Sequence, residues 1–202
     1  KTLGIEHFHN AGYKGEGQKV LIHEVSNSQH KAWIENLGKQ IAPKAEIIFR
    51  TEGSSLEGSV KYCVDNDIPF MNASLRGIRI KDTPTYQEFK KKTLFFASAG
   101  NTTTEDKYYY PASHDDTISV AYGKMIGSMI KQSSHSAENN KIDHIQVGSL
   151  WVGGTRQEGS SFASITSCMM MVLYAEAFKD MYNRQPTKAE CINYMQSNYK
   201  DL

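Results

Sequence analysis

The sequence predicts an α/β fold with a mainly parallel central sheet and helices on both of its faces. Short apolar runs recur along the chain, and segments with helical spacing separate them. Strands joined through helices return to the same end of a sheet and so lie parallel.

The elements follow in order. Residues 20–23 (Val-Leu-Ile-His) read as a first buried strand, 46–49 as a second and 70–73 as a third. Residues 94–97 and 118–121 give the fourth and fifth. Between the first two, Ala32, Trp33, Ile34, Leu37 and Ile41 fall near helical spacing, and Leu56, Val60 and Val64 repeat at four-residue steps. A long apolar helix starts near residue 161 and runs toward 182. Thr187 with Glu190 forms a capping box for a last helix. Lys90, Lys91 and Lys92 read as a solvated helix end. Residues 124–141 are polar and unpatterned and read as a surface excursion.

The chain of 202 residues suits a single domain spanning 1–202. Its formal net charge of +1 gives no bulk-charge reason for a nucleic-acid or membrane partner. Three widely spaced cysteines, Cys63, Cys168 and Cys191, do not make a disulfide framework. They lean toward a reducing, cytoplasmic setting, although the compartment itself stays unknown. No signal peptide and no bilayer-spanning run is read. The chain opens on Lys1 rather than methionine, which leaves open a processed product and an inhibitory leader removed from it.

Three motifs carry chemistry. An apolar strand runs into Ser98, Ala99, Gly100 and Asn101, and an asparagine at the carboxyl end of a strand can offer its amide N–H to a developing oxyanion. Read alone, this is also an ordinary turn. Gly159, Ser160 and Ser161 open into the long helix, whose first N–H groups favour an anion forming at a serine adduct. Read alone, this is also a plain helix cap. Glu24 ends the first strand, and His30 opens the next helix. A serine hydrolase needs such a histidine to take the serine proton and an acid to fix its tautomer.

In combination, these pieces resemble the subtilisin-like serine peptidase family: acid after the first strand, histidine at the next helix, asparagine after a later strand, serine at a late helix. Further segments strengthen the likeness. They are Gly12, Tyr13, Lys14 and Gly15; Ala42 and Pro43 before the second strand; Asn72 through Gly77; and Tyr110 and Pro111 before the fifth strand. The resemblance implies a three-layer fold and a compact, divergent member. It implies Ser161 as nucleophile, His30 as general base, Glu24 as orienting acid and Asn101 as oxyanion donor. It also implies that a protein or peptide substrate binds as an added strand along Ser74, Leu75, Arg76 and Gly77. Ala99 and Gly100 would then wall the pocket beside the cleaved bond, and Tyr109 would make that pocket shallow. Arg76 stands where the family has glycine and would select acidic groups.

The sequence departs from the family around the site as well. Glutamate replaces the usual aspartate, only five residues lie between it and His30, and Ile165 follows the serine helix start where proline is usual. These departures leave a second reading: a catalytically silent, peptide-binding relative of the same fold. His23 and Glu24 lack the two-histidine helical spacing of a zinc peptidase, so no metal and no cofactor is expected.

Overall fold

The computed structural model describes residues 4–24, 29–51, 55–102, 109–127, 129–137 and 142–198. A short helix α1 (Ile5–Asn10) leads into β1 (Lys19–His23), α2 (Gln29–Ile41), β2 (Glu46–Arg50) and α3 (Leu56–Asp65). Then come β3 (Phe70–Ala73), α4 (Pro84–Lys92), β4 (Leu94–Ser98) and β5 (Thr117–Ile126). Four short strands follow: β6 (Met129–Gln132), β7 (His144–Val147), β8 (Ser149–Val152) and β9 (Thr155–Glu158). The chain closes with α5 (Ser160–Tyr182) and α6 (Lys188–Asn198).

Seven strands form the main sheet in the order β2-β1-β3-β4-β5-β6, with β7 also paired to β5. All its pairings are parallel except β5 with β6. The strands alternate their burial between two apolar clusters. Val20, Ile22, Phe70, Phe96 and Val120 face α2 and α5, while Leu21, Met71 and Phe95 face α3 and α4. Both faces are therefore covered, which is why the strands read as unbroken apolar runs. All three cysteines are buried and free.

Helix α5 passes through the core, with Phe162 to Leu173 buried at every position. It is long and apolar enough to cross a bilayer by length and composition, and most of it is packed inside the protein. This differs from the sequence reading, which finds no run long enough to span a bilayer. The segment 124–141, expected as an unpatterned excursion, instead holds the end of β5 and the antiparallel β6. Gln132 closes part of this region by donating its amide to the Ala137 carbonyl.

Candidate active site

Each element of the site ends at the carboxyl edge of the parallel strands. Glu24 lies one residue past β1, is buried, and donates its backbone N–H to the Arg50 carbonyl at 3.1 Å. Strand alternation turns His23 and Glu24 to opposite faces. His23 meets Ser59 of α3, its Nδ1 at 2.7 Å from the hydroxyl oxygen. Burial, helped by the Arg50 guanidinium, holds the His23 imidazole below its usual pKa. Glu24 instead faces His30, the second residue of α2. His30 Nδ1 lies 3.3 Å from Glu24 Oε2, a long but recognisable contact. With Nδ1 turned to the carboxylate, Nε2 is the nitrogen left for proton transfer. The His30 ring packs against Phe162, the residue after Ser161, at 5.8 Å between ring centroids. The connection through Val25, Ser26, Asn27 and Ser28 lies outside the described residues.

The two serines at the start of α5 differ sharply. Ser160 is buried and both roles of its hydroxyl are in use: it accepts the Gly100 N–H at 3.1 Å and donates to Asn101 Oδ1 at 2.8 Å. Its backbone N–H also donates to Asn101 Oδ1, at 2.7 Å. Ser161, by contrast, is half-buried. No hydrogen bond from Ser161 Oγ to His30 is formed among the described residues. Two donors on Asn101 Oδ1 fix that amide so that its Nδ2 is the remaining donor, at the same turn as the first free N–H groups of α5.

The residues that the sequence reading assigns to substrate gather beside this turn. Beyond Ala73 the chain leaves the sheet ladder, and Ser74 Oγ donates to the Ser161 carbonyl at 3.4 Å. Ser164 of α5 donates to Asn72 Oδ1 at 2.6 Å, a second tie between β3 and the serine helix. Leu75 is buried in the α3–α4 cluster, so only its backbone can meet a peptide. The Arg76 guanidinium lies over the Tyr109 ring at 5.9 Å. Gly77 donates its N–H to the Tyr110 carbonyl at 2.9 Å, which joins the two walls. Gly100 has φ +114°, and a Cβ there would lie 3.0 Å from the Tyr109 ring. Ala99 is buried against Ala121 and Ala137. Sequence reasoning missed Ser160 and the Asn72–Ser164 bond, because each partner lies far away in the chain. Among the described residues, no group of three His, Cys, Asp or Glu side chains could hold a metal ion.

No family model matches this sequence, and no curated protein matches it. Solved structures do match in fold. A lanthipeptide protease superposes with a TM-score of 0.78 at 15% identity, over 99% of this chain and 85% of that one. Fervidolysin from Fervidobacterium pennivorans, a keratinolytic enzyme related to subtilisin, gives 0.69 at 15% identity, over 87% of this chain and 38% of that one. The PatG macrocyclase in complex with peptide gives 0.66 at 12% identity, over 93% of this chain and 84% of that one. The mainly parallel sheet, the helices on both faces and these superpositions together give the chain a subtilisin-like fold.

Proposed function

We propose that the protein is a serine endopeptidase that cleaves peptide bonds through Ser161, His30 and Glu24, with Asn101 stabilising the oxyanion. The observation that carries this reading is the buried Glu24 carboxylate 3.3 Å from His30 Nδ1, on a histidine whose ring packs beside the Ser161 turn. In this reading Ser161 Oγ attacks the peptide carbonyl carbon while His30 Nε2 takes its proton. The carbonyl oxygen becomes an anion held by Asn101 Nδ2 and the Ser161 N–H. His30 returns the proton to the amine as the C–N bond breaks, leaving an acyl-serine. Water, deprotonated by His30, then cleaves that ester. Glu24 holds the imidazole in its tautomer and offsets its positive charge.

The substrate is a polypeptide lying extended along residues 74–77. A lanthipeptide protease and a macrocyclase solved with peptide, both of the same fold, support that choice. The three reduced cysteines fit a reducing compartment.

Labelling with a fluorophosphonate, followed by peptide mapping, tests the reading. One adduct on Ser161, absent in Ser161→Ala and much reduced in His30→Ala, is expected. A folded wild type that takes no label near neutral pH would favour the silent peptide-binding relative instead.

A further inference from the structure

Two antiparallel ribbons project from the catalytic edge of the sheet. The β5–β6 ribbon pairs Ile126 with Met129 at its tip and Lys124 with Lys131 two residues below. Opposed residues and residues two apart share a face, so these four side chains lie on one surface. The β8–β9 ribbon pairs Trp151 with Arg156 and Ser149 with Glu158, again on one face. Leu150 and Val152 turn inward to the core, which leaves Trp151 outward. The ion pair from Lys124 Nζ to Glu158 Oε2, at 3.2 Å, joins the two faces into one.

That joined face has two marks of an unfilled contact. Its large apolar side chains are open to water: Trp151 is 71% exposed, Ile126 55% and Met129 49%. Its charge is unbalanced as well. Among the described residues of this face, Lys124, Lys131 and Arg156 stand against the carboxylate of Glu158, and the two lysines sit directly across a strand pair, where like charges repel. A partner that brings carboxylates between apolar side chains satisfies both.

The face also runs straight into the proposed active site. Gly148 donates its N–H to the Gly123 carbonyl at 3.1 Å, and Gly159 donates to the Gly148 carbonyl at 2.9 Å. Three backbones therefore lie side by side, from the β5–β6 ribbon to the residue before Ser160. A Cβ on Gly148 would run into the Gly159 carbonyl oxygen, so the two backbones lie close together. The Gly153–Gly154 turn of the second ribbon approaches Trp33 on the helix that carries His30.

We infer that this face is a docking surface for an acidic, apolar-interleaved segment of the polypeptide substrate, outside the bond that is cut. The inference rests on the peptidase reading for the identity of its occupant. An anionic membrane has similar chemistry, but continuity with the Ser161 turn favours the chain being cleaved. Binding here raises the local concentration of the scissile bond without touching the chemistry.

The test measures fluorescence anisotropy of two dye-labelled peptides on the Ser161→Ala variant, one alternating Leu with Glu and one alternating Leu with Lys. The Leu–Glu peptide is expected to bind, to weaken as salt rises, and to weaken roughly tenfold in Lys131→Glu. Ile126→Asp should abolish binding, and the exposed Lys131→Glu change serves where Ile126→Asp does not fold. Equal binding of both peptides, or no effect of Lys131→Glu, would overturn the inference. So would sedimentation with phosphatidylserine vesicles combined with no peptide binding. The measurement needs no turnover: a chain that binds the peptide yet takes no fluorophosphonate on Ser161 sinks the peptidase reading and leaves the surface standing.

Discussion

Asn101 Oδ1 accepts two hydrogen bonds from Ser160, one from its backbone N–H at 2.7 Å and one from its hydroxyl at 2.8 Å. An amide held twice at its oxygen cannot flip, and its N–H₂ is aimed before any substrate arrives. Pre-aimed donors cost no reorganisation during reaction. Ser160→Ala removes one of the two bonds and the acceptor of the Gly100 N–H. Turnover is expected to fall about tenfold, the scale of one net hydrogen bond, with KM little changed. Ser160→Thr should restore most of the loss. Asn101→Ala should cost roughly 10² to 10³ in turnover. Equal kcat in wild type and Ser160→Ala would show that the clamp is structural only.

Glu24 holds His30 across a contact already long at 3.3 Å. Glu24→Gln keeps the shape and loses the charge, and should lower kcat by roughly 10³ to 10⁴. Glu24→Asp restores the family's usual residue but is shorter by one methylene. It should therefore also lose activity, because the carboxylate falls short of Nδ1. A Glu24→Asp variant as active as wild type would remove the argument that glutamate is fitted to this turn.

Tyr109 lies against Gly100 and beneath Arg76, so in the proposed peptidase it would close the base of the pocket beside the cleaved bond. A fluorogenic peptide panel should show preference for small residues next to the cleaved bond. Tyr109→Ala should shift that preference toward large ones. Arg76→Gly should lower kcat/KM for acidic peptides selectively. A wild-type preference for large aromatic residues would contradict the closed base.

His144 is buried, and burial pushes its imidazole pKa down to about 4. In the unfolded chain the same group titrates near 6.5, so the unfolded state binds the extra proton between those values. Stability is therefore full above about pH 6.5 and falls as pH drops toward 4. His23 and His114 shift in the same direction through burial and add to the slope. Urea midpoints followed from pH 7 to pH 4 should fall less steeply in His144→Gln than in wild type. Parallel curves would show that His144 does not contribute.

The strands that frame the site were legible because they are covered on both faces. Val20 to Ile22 and Phe95 to Ala97 are apolar without interruption and cannot be mistaken for loops. The late strands were not legible. Thr155–Glu158 is four mostly exposed, polar residues, and its pairing partner supplies the only reason it is a strand. Helix α4 left traces that went partly unread: the basic run at its end was taken as a helix terminus, while the Thr83 cap and Pro84 at its first turn were not. At the candidate site, Glu24, His30, Asn101 and Ser161 stand out in the sequence through their order in the chain. Ser160 does not, because its meaning lies in Asn101, 59 residues earlier, and nothing local marks a serine that spends its hydroxyl on a distant amide.

The burial of α5 has a consequence in time. Ser160 and Ser161 open α5, where they meet Asn101 just after β4 and Ser74 just after β3, and the neighbouring Phe162 packs against His30 of α2. Parallel pairings of this kind bring together residues distant in sequence and form slowly. During synthesis the strands and the histidine emerge well before the serine. In the proposed enzyme, the newborn chain therefore carries Asn101 without the serine that clamps it and His30 without Ser161. In that reading the site is complete only once α5 packs between the sheet and α2. Until then that helix is the stretch most exposed to aggregation.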